Sequence, residues 1–219
     1  MLQSFKLAIK SIIANKMRSF LTMLGLIIGV SAVVILVSVM MGYMNNMVKS
    51  FMDMGANTIS VNLVNMPARQ ASVDQMYDFF NEHRDIFSEM TPQVSVSGTI
   101  KVGSEKTTTT TVSGVSEYYG KLKNYKLEKG RFLSYADMVS RQKVVVIGYY
   151  VASKLFGSPK AAIGETIKIN GSAFTVVGVV QRQDKTQLSA RGSDDFAFMP
   201  YSTAGQLNGT SVPDYYIFA

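Results

Sequence analysis

The sequence predicts an α+β fold, an N-terminal transmembrane helix followed by a strand-rich extracytoplasmic domain. Three observations predict it. Residues 19–48 contain no Asp, Glu, Lys, Arg or His. Beyond residue 57, apolar and polar residues alternate in several short runs, two of them joined by Asn170-Gly171. Helical patterns in that region are few and short, so strands dominate it.

The apolar centre of the first stretch, Phe20 to Tyr43, rises roughly 36 Å as a helix at ~1.5 Å per residue. That crosses a hydrocarbon core of ~30 Å with modest tilt. A helix apolar on every side must be buried in lipid or in a large protein, and a chain of 219 residues is not large enough. The formal net charge is +7, of which Lys6, Lys10, Lys16 and Arg18 place +4 in residues 1–18 without an acid. The positive-inside rule then sets those residues in the cytoplasm and the following domain outside. The remaining +3 is spread over about two hundred residues, which is not the clustered footprint of a nucleic-acid binder. A cleaved signal peptide would need a shorter apolar run and a small-x-small site, and Met41-Gly42-Tyr43-Met44 is a poor one. Cysteine is absent and His83 is the single histidine, which excludes thiol catalysis, disulfides, thiolate metal sites and histidine-rich ones.

Before the span, Leu2, Phe5, Ile9, Ile12 and Ile13 recur at helical spacing beside Lys6 and Lys10. This is an amphipathic helix suited to the inner interface, or a cytoplasmic extension of the membrane helix, with an elbow at residues 15–19. Inside the span, Gly25, Gly29 and Ala32 share one face, where small side chains admit a second helix. Met44, Met47, Val48 and Phe51 continue the helical spacing past the lipid, and Gly55 is the expected stop. Residues 58–64 alternate as a half-buried strand.

Ser72 and Gln75 form a capping-box pattern. The helix it opens is expected to bury Met76, Phe79, Phe80, His83, Ile86 or Phe87, and Met90 and to end at Thr91-Pro92, with His83 hydrogen-bonded in the core. Residues 93–103 and 106–115 read as two strands joined at Ser104-Glu105, and the run Thr107 to Thr111 as a solvated or edge segment. A short helix is expected at 117–122 and a buried strand at 142–147. Gly148 opens a helix over 149–156 that closes at Gly157. Residues 165–169 and 173–180 flank Asn170-Gly171 as a hairpin. Residues 181–195 read as a mobile polar loop, 196–199 as a strand, and 214–219 as a strand interrupted by the chain end. The expected domains are therefore 1–18, 19–52 and 53–219, the last incomplete at its C-terminus.

No enzyme constellation emerges. There is no Gly-x-Ser-x-Gly, no phosphate-binding glycine loop and no paired histidine. Lys154 and Lys160 read as solvated. Asp194-Asp195 also reads as a solvated loop, since adjacent carboxylates diverge while a cation such as Ca²⁺ wants six or more oxygens. No catalytic, cofactor or metal residues are assigned.

Residues 15–30, NKMRSFLTMLGLIIGV, resemble the opening of ABC-transporter permeases of the MacB/FtsX/LolC type. GANTI at 55–59, GRF at 130–132, VVVIG at 144–148, LFG at 155–157, IGETI at 163–167 and FTVVGV at 174–179 follow in the order of a MacB-like extracytoplasmic core domain. The specificity lies in the ordered set over essentially the whole chain.

The resemblance implies a permease with a porter-like α+β part and a second strand-rich part outside, followed in the family by three further spans. It implies no fused ATPase here, hence a separate cytoplasmic ATP-binding subunit. It further implies a second permease copy or paralogue, the lipid bilayer and an extracellular adaptor as partners, in a cell membrane with the N-terminus inside. ATP-driven motion would pass along the first helix to the outer domain and export peptides, antibiotics or lipophilic compounds. Lys6, Lys10, Lys16 and Arg18 would sit at the inner interface, Gly25, Gly29 and Ala32 at a helix contact. Met44, Met47 and Phe51 would join helix to domain. Two alternatives stay open: an FtsX-like transmitter acting on an extracellular partner, and a single-span anchored receptor.

Overall fold

The computed structural model describes residues 6, 7, 10, 13–53, 58–62, 71–184, 186–210 and 212–219. Two compact units divide the chain, Met1–Met52 and Asp53–Ala219. The first is dominated by α1, Lys16–Asp53, a helix of 38 residues. Neither proline nor charge interrupts residues 19–48, and the Leu and Met that populate them are good helix formers. Thr22 Oγ1 donates to the carbonyl of Arg18 at 2.9 Å, so this hydroxyl is satisfied within the helix. Residues 16–48 are long and apolar enough to cross a membrane, and none of the most apolar stretch is buried. Lys6, Leu7, Lys10, Ile13 and Ala14 are helical, and a turn at Asn15 marks the expected elbow. Leu2, Phe5, Ile9 and Ile12 lie outside the described residues, as do the expected stop at Gly55 and the strand positions Leu63 and Val64.

The second unit contains, among the described residues, eleven strands and six helices. The strands are β1 (Ile59–Asn62), β2 (Met90–Val96), β3 (Ile100–Val102), β4 (Glu105–Thr107), β5 (Thr111–Val115), β6 (Leu127–Gly130), β7 (Val144–Ile147), β8 (Thr166–Ile169), β9 (Ser172–Val180), β10 (Phe196–Pro200) and β11 (Tyr215–Phe218). The helices are α2 (Val73–Glu82), α3 (Tyr119–Leu122), α4 (Tyr135–Val139), α5 (Tyr149–Phe156), α6 (Pro159–Ala162) and α7 (Tyr201–Asn208). The sheet runs β1-β11-β2-β5-β10-β7-β9-β8-β3-β4, with β6 paired to β9. Only β5–β10 and β7–β9 are parallel among these pairs.

Side-chain alternation shows that both faces of the sheet are covered. Val145 and Ile147 of β7 and Ala197 and Met199 of β10 enter a core with α5 and α7, while Val146, Phe196 and Phe198 enter a second core with Tyr119 and Leu122. A third, smaller core joins Phe80 of α2 to Met90, Tyr216 and Phe218. The β8–β9 hairpin forms as expected: Asn170 and Gly171 have φ of 49° and 82°, the left-handed pair that a type I′ turn requires.

The structure corrects several expectations. Helix α2 stops at Glu82, because His83 caps it and its ring nitrogen Nδ1 engages the carbonyl of Phe79 at 2.9 Å. His83 is thus a half-buried cap residue rather than a core one. Met90 still meets Phe80, but from strand β2, so a helical periodicity disguised a turn and a strand. Pro92 lies within β2 opposite Tyr216. Glu89 and Ala219 exchange both backbone bonds. Alternation along the ladder therefore puts Pro92 in a pair that needs no amide from it. The two expected long strands after residue 92 each break. Their bases pair as β2 and β5 mid-sheet, whereas their tips, β3 and β4, cross to the far edge beside β8. Strand β11 is paired on both sides, with β1 and with β2.

Asp194 and Asp195 are buried, at 1% and 2% exposure, rather than solvated. Asp194 accepts from the amides of Gln183 (2.7 Å) and Asp184 (3.1 Å), which ties down the loop expected to be free. Asp195 accepts from the hydroxyls of Thr109 (2.7 Å) and Thr110 (2.6 Å) and the amide of Arg191 (2.8 Å). The threonine run therefore turns part of its hydroxyls inward, onto a carboxylate.

Candidate ligand-binding groove

The sequence-selected residues lie in the first unit. Lys6 and Lys10 are helical, and Lys16 and Arg18 occupy the first turn of α1. Gly25, Gly29 and Ala32 share one face of α1, and a Cβ built on either glycine meets nothing within 4 Å. That face is an open notch with room for a second backbone. Met44 and Met47 lie near the C-terminal end of α1, and the backbone of Phe51 is helical there. The Phe51 side chain lies outside the described residues.

The second unit holds a groove that sequence reading missed. It lies between α2 on one side and α4 and α7 on the other, and comprises two adjoining cavities of ≈ 860 and ≈ 460 Å³. Asp74, Met138, Val139 and Tyr201 line both. On α2, Asp74, Tyr77, Asp78 and Asn81 recur at i, i+3, i+4 and i+7, so all four reach the smaller cavity from one helix face. Their helix is started by the full capping box: Gln75 N donates to Ser72 Oγ at 3.2 Å, and Ser72 N to Gln75 Oε1 at 2.9 Å.

The opposite wall is built by α4, which presents Tyr135, Met138 and Val139 at i, i+3 and i+4. Asp137, on its other side, accepts from Arg131 Nη1 (2.6 Å) and Nη2 (3.0 Å) and from the Ser134 amide and hydroxyl, both at 2.8 Å. Burial alone would raise this carboxyl, but those bonds outweigh it and hold Asp137 below the usual range. Helix α7 is fastened to α4 by Ser202 Oγ, which donates to the Met138 carbonyl at 2.7 Å. Thr203 Oγ1 adds a bond to the Gln142 carbonyl at 3.1 Å.

The smaller cavity carries three carboxylates, Asp74, Asp78 and Glu117, three tyrosines, Tyr77, Tyr135 and Tyr201, and no lysine or arginine among the described residues. Burial, and then the charge of Glu89, raise the Glu117 carboxyl, against a backbone bond that lowers it. Its Oε2 is buried without a hydrogen-bond partner among the described residues. Glu89 itself takes the Lys121 ammonium at 2.5 Å. The phenols of Tyr77 and Tyr201 are raised, first by burial and then by the surrounding charges, Glu117 included. None of these residues carries a local sequence signature, since they come from four separate segments.

The MacB-like periplasmic core domain family model matches residues 19–218, which includes most of α1 and the whole sheet. The macrolide export ATP-binding/permease protein MacB of Aggregatibacter actinomycetemcomitans is 30% identical over 209 residues, 93% of this chain and 32% of that protein. The protein of the same name from Chlorobium luteolum is 31% identical over 205 residues, 90% of this chain and 30% of that protein. The chain therefore spans about a third of the length of these relatives.

Two solved structures share the fold. The periplasmic region of MacB from Actinobacillus actinomycetemcomitans superposes with a TM-score of 0.61 at 24% identity, covering 77% of this chain and 76% of that one. The extracellular domain of the noncanonic ABC-type transporter YknZ from Gram-positive bacteria gives 0.59 at 19% identity, covering 74% and 82%. With one candidate membrane helix among the described residues and a domain of this fold after it in the sequence, the chain belongs to the MacB-like periplasmic core domain family of ABC-transporter permeases.

Proposed function

We propose that this chain is the membrane-anchored outer domain of an ABC exporter, in which α1 passes ATP-driven motion to the extracytoplasmic sheet. The exported class would be peptides, antibiotics or lipophilic compounds. The observation that carries the reading is a single family match that runs from inside α1 to the end of β11. In this mechanism Lys6, Lys10, Lys16 and Arg18 hold the inner interface by their charge. Gly25, Gly29 and Ala32 pack against a second permease copy or paralogue. Met44, Met47 and Phe51 stiffen the passage from helix to domain. ATP hydrolysis belongs to a separate cytoplasmic subunit, and an extracellular adaptor completes the assembly.

The test is purification of the protein from its own membranes under mild conditions, followed by assay of ATP hydrolysis in nanodiscs. The expected result is a co-purifying ATP-binding subunit whose hydrolysis changes when Gly29 is replaced by Leu. A native protein that carries no ATP-binding partner would sink the reading.

A further inference from the structure

We propose that the exposed face of β3, β4 and β8 is a docking surface for a linear phosphodiester polyanion of the cell envelope, which lies across a row of three lysines. The inference goes beyond the export reading and stands on the register of the sheet. Lys101 on β3 is directly opposite Lys106 on β4 on one side and Lys168 on β8 on the other. Directly opposed residues hold their Cβ atoms about 4.5–5.5 Å apart, so the three Cβ atoms cross the strands within about 10 Å. All three lysines are exposed, and none forms an ion pair among the described residues.

The face carries no opposing charge. Ile100, Ile167 and Ile169 enter the first core, so alternation turns Lys101, Thr166 and Lys168 to the other side. Ala173 pairs with Lys168 and Thr175 with Thr166, and both are exposed. Glu105 is the only acid in β3, β4, β8 and β9, and alternation with Lys106 sends it to the opposite face. Strand order thus gathers charge that is spread thinly along the sequence.

Edge protection does not account for the row. A lysine on an edge strand deters pairing with another chain, and Lys106 does this on β4, which ends the sheet path. Lys101 and Lys168 guard no edge, because β3 lies between β4 and β8, and β8 between β3 and β9. Like charges directly opposite each other destabilise a sheet, so these two lysines work against the fold until an anion lies over them. The composition of the face selects the anion. The exposed positions of these strands include no aromatic residue or arginine, the anchors that dominate protein interfaces, and lysine is depleted from the cores of such interfaces. Lysine binds phosphate as a point charge, whereas bidentate capture of carboxylates favours arginine. A strip of lysine, threonine and alanine therefore fits a chain of spaced phosphates better than a folded partner.

The full protein in phosphatidylcholine nanodiscs, titrated with fluorescein-labelled poly(glycerol phosphate) and read by fluorescence polarisation, tests the face. Tighter binding than to empty nanodiscs is expected, and it should weaken steeply as salt is raised. Joint replacement by Lys101→Gln, Lys106→Gln and Lys168→Gln should weaken it at least tenfold. Lys129→Gln, Lys154→Gln and Lys160→Gln together remove the same charge from other elements and should leave it unchanged. Thermal unfolding separates docking from folding. Lys101→Glu should weaken binding at least tenfold yet raise the midpoint, because it places an acid between two lysines. A lowered midpoint would show that the row does not strain the sheet and would overturn the proposal. Equal binding by wild type and the row variant would overturn it too, as would an equal loss in the charge-matched variant. Poly-glutamate that binds where poly(glycerol phosphate) does not would assign the face to an acidic polypeptide and also overturn it. The titration needs no ATP and no ATPase subunit, so its failure and the failure of the export reading are separable.

Discussion

Gly114 on β5 and Ala204 on α7 are in a contact that leaves no space for a side chain. A Cβ built on Gly114 would come within 2.3 Å of the Ala204 Cβ and 2.9 Å of the Tyr201 Cα. The missing side chain is what lets α7 settle onto the sheet and carry Tyr201 to the groove. Gly114→Val must therefore lift α7, a core overpacking that costs about 1–3 kcal/mol. Thermal unfolding should show a lower midpoint for Gly114→Val. An unchanged midpoint would mean that α7 is not seated by this contact.

Asp137 and Glu117 should respond to pH with opposite signs. The Asp137 carboxyl is held below its ordinary value, so its folded pKa lies beneath the unfolded one. Its stabilisation is complete above the unfolded pKa and is lost as pH falls through the folded pKa. Asp137→Asn removes charge-assisted bonds to Arg131 and Ser134 and should cost about 1–3 kcal/mol at pH 7. Denaturation at descending pH should show wild type converging on the variant in the acid range. A gap that stays constant down to pH 2 would refute the assignment.

Glu117 runs the other way. Its folded pKa is raised, chiefly by burial, so its favourable contribution is complete below the unfolded value and is lost as pH rises through the folded one. Glu117→Gln should therefore raise the unfolding midpoint at pH 7, with the gain shrinking as pH falls toward 4. A lower midpoint for Glu117→Gln at pH 7 would show that the side chain has a partner in the native protein.

Much of the fold was legible because its signals are local. The capping box at Ser72 and Gln75, the left-handed pair Asn170-Gly171 and the charge-free stretch of α1 are each read from adjacent residues. The break between β2 and β3 was not, because its cause lies about seventy residues away. Asn170 Nδ2 donates to the Ser97 carbonyl at 2.8 Å and its Oδ1 accepts from the Thr99 amide at 3.3 Å, so the turn of one hairpin pins the break in another. Gly98 permits this approach, since a Cβ there would fall 1.9 Å from Asn170 Oδ1. The solvated reading of Asp194-Asp195 failed for the same reason, since Asp195's hydroxyl partners Thr109 and Thr110 come from before β5. The groove was invisible in sequence because Asp74, Glu117, Tyr135 and Tyr201 meet only through the sheet order.

The notch on α1 gives the last prediction. Gly25, Gly29 and Ala32 fall on one helix face, and Ile27 and Val34 on the opposite one, at 100° per residue. Because the chain has no cysteine, single cysteines report helix contacts without background. If the notch receives the same helix of a second copy, Gly29→Cys should form a disulfide-linked dimer in native membranes under mild oxidation, since the notch allows backbones to approach closely. Val34→Cys should stay monomeric under the same treatment. Cross-linking at Val34 but not at Gly29 would place the partner on the other face. A Gly29→Cys product heavier than one copy, but not twice its mass, would replace the second copy with a paralogue.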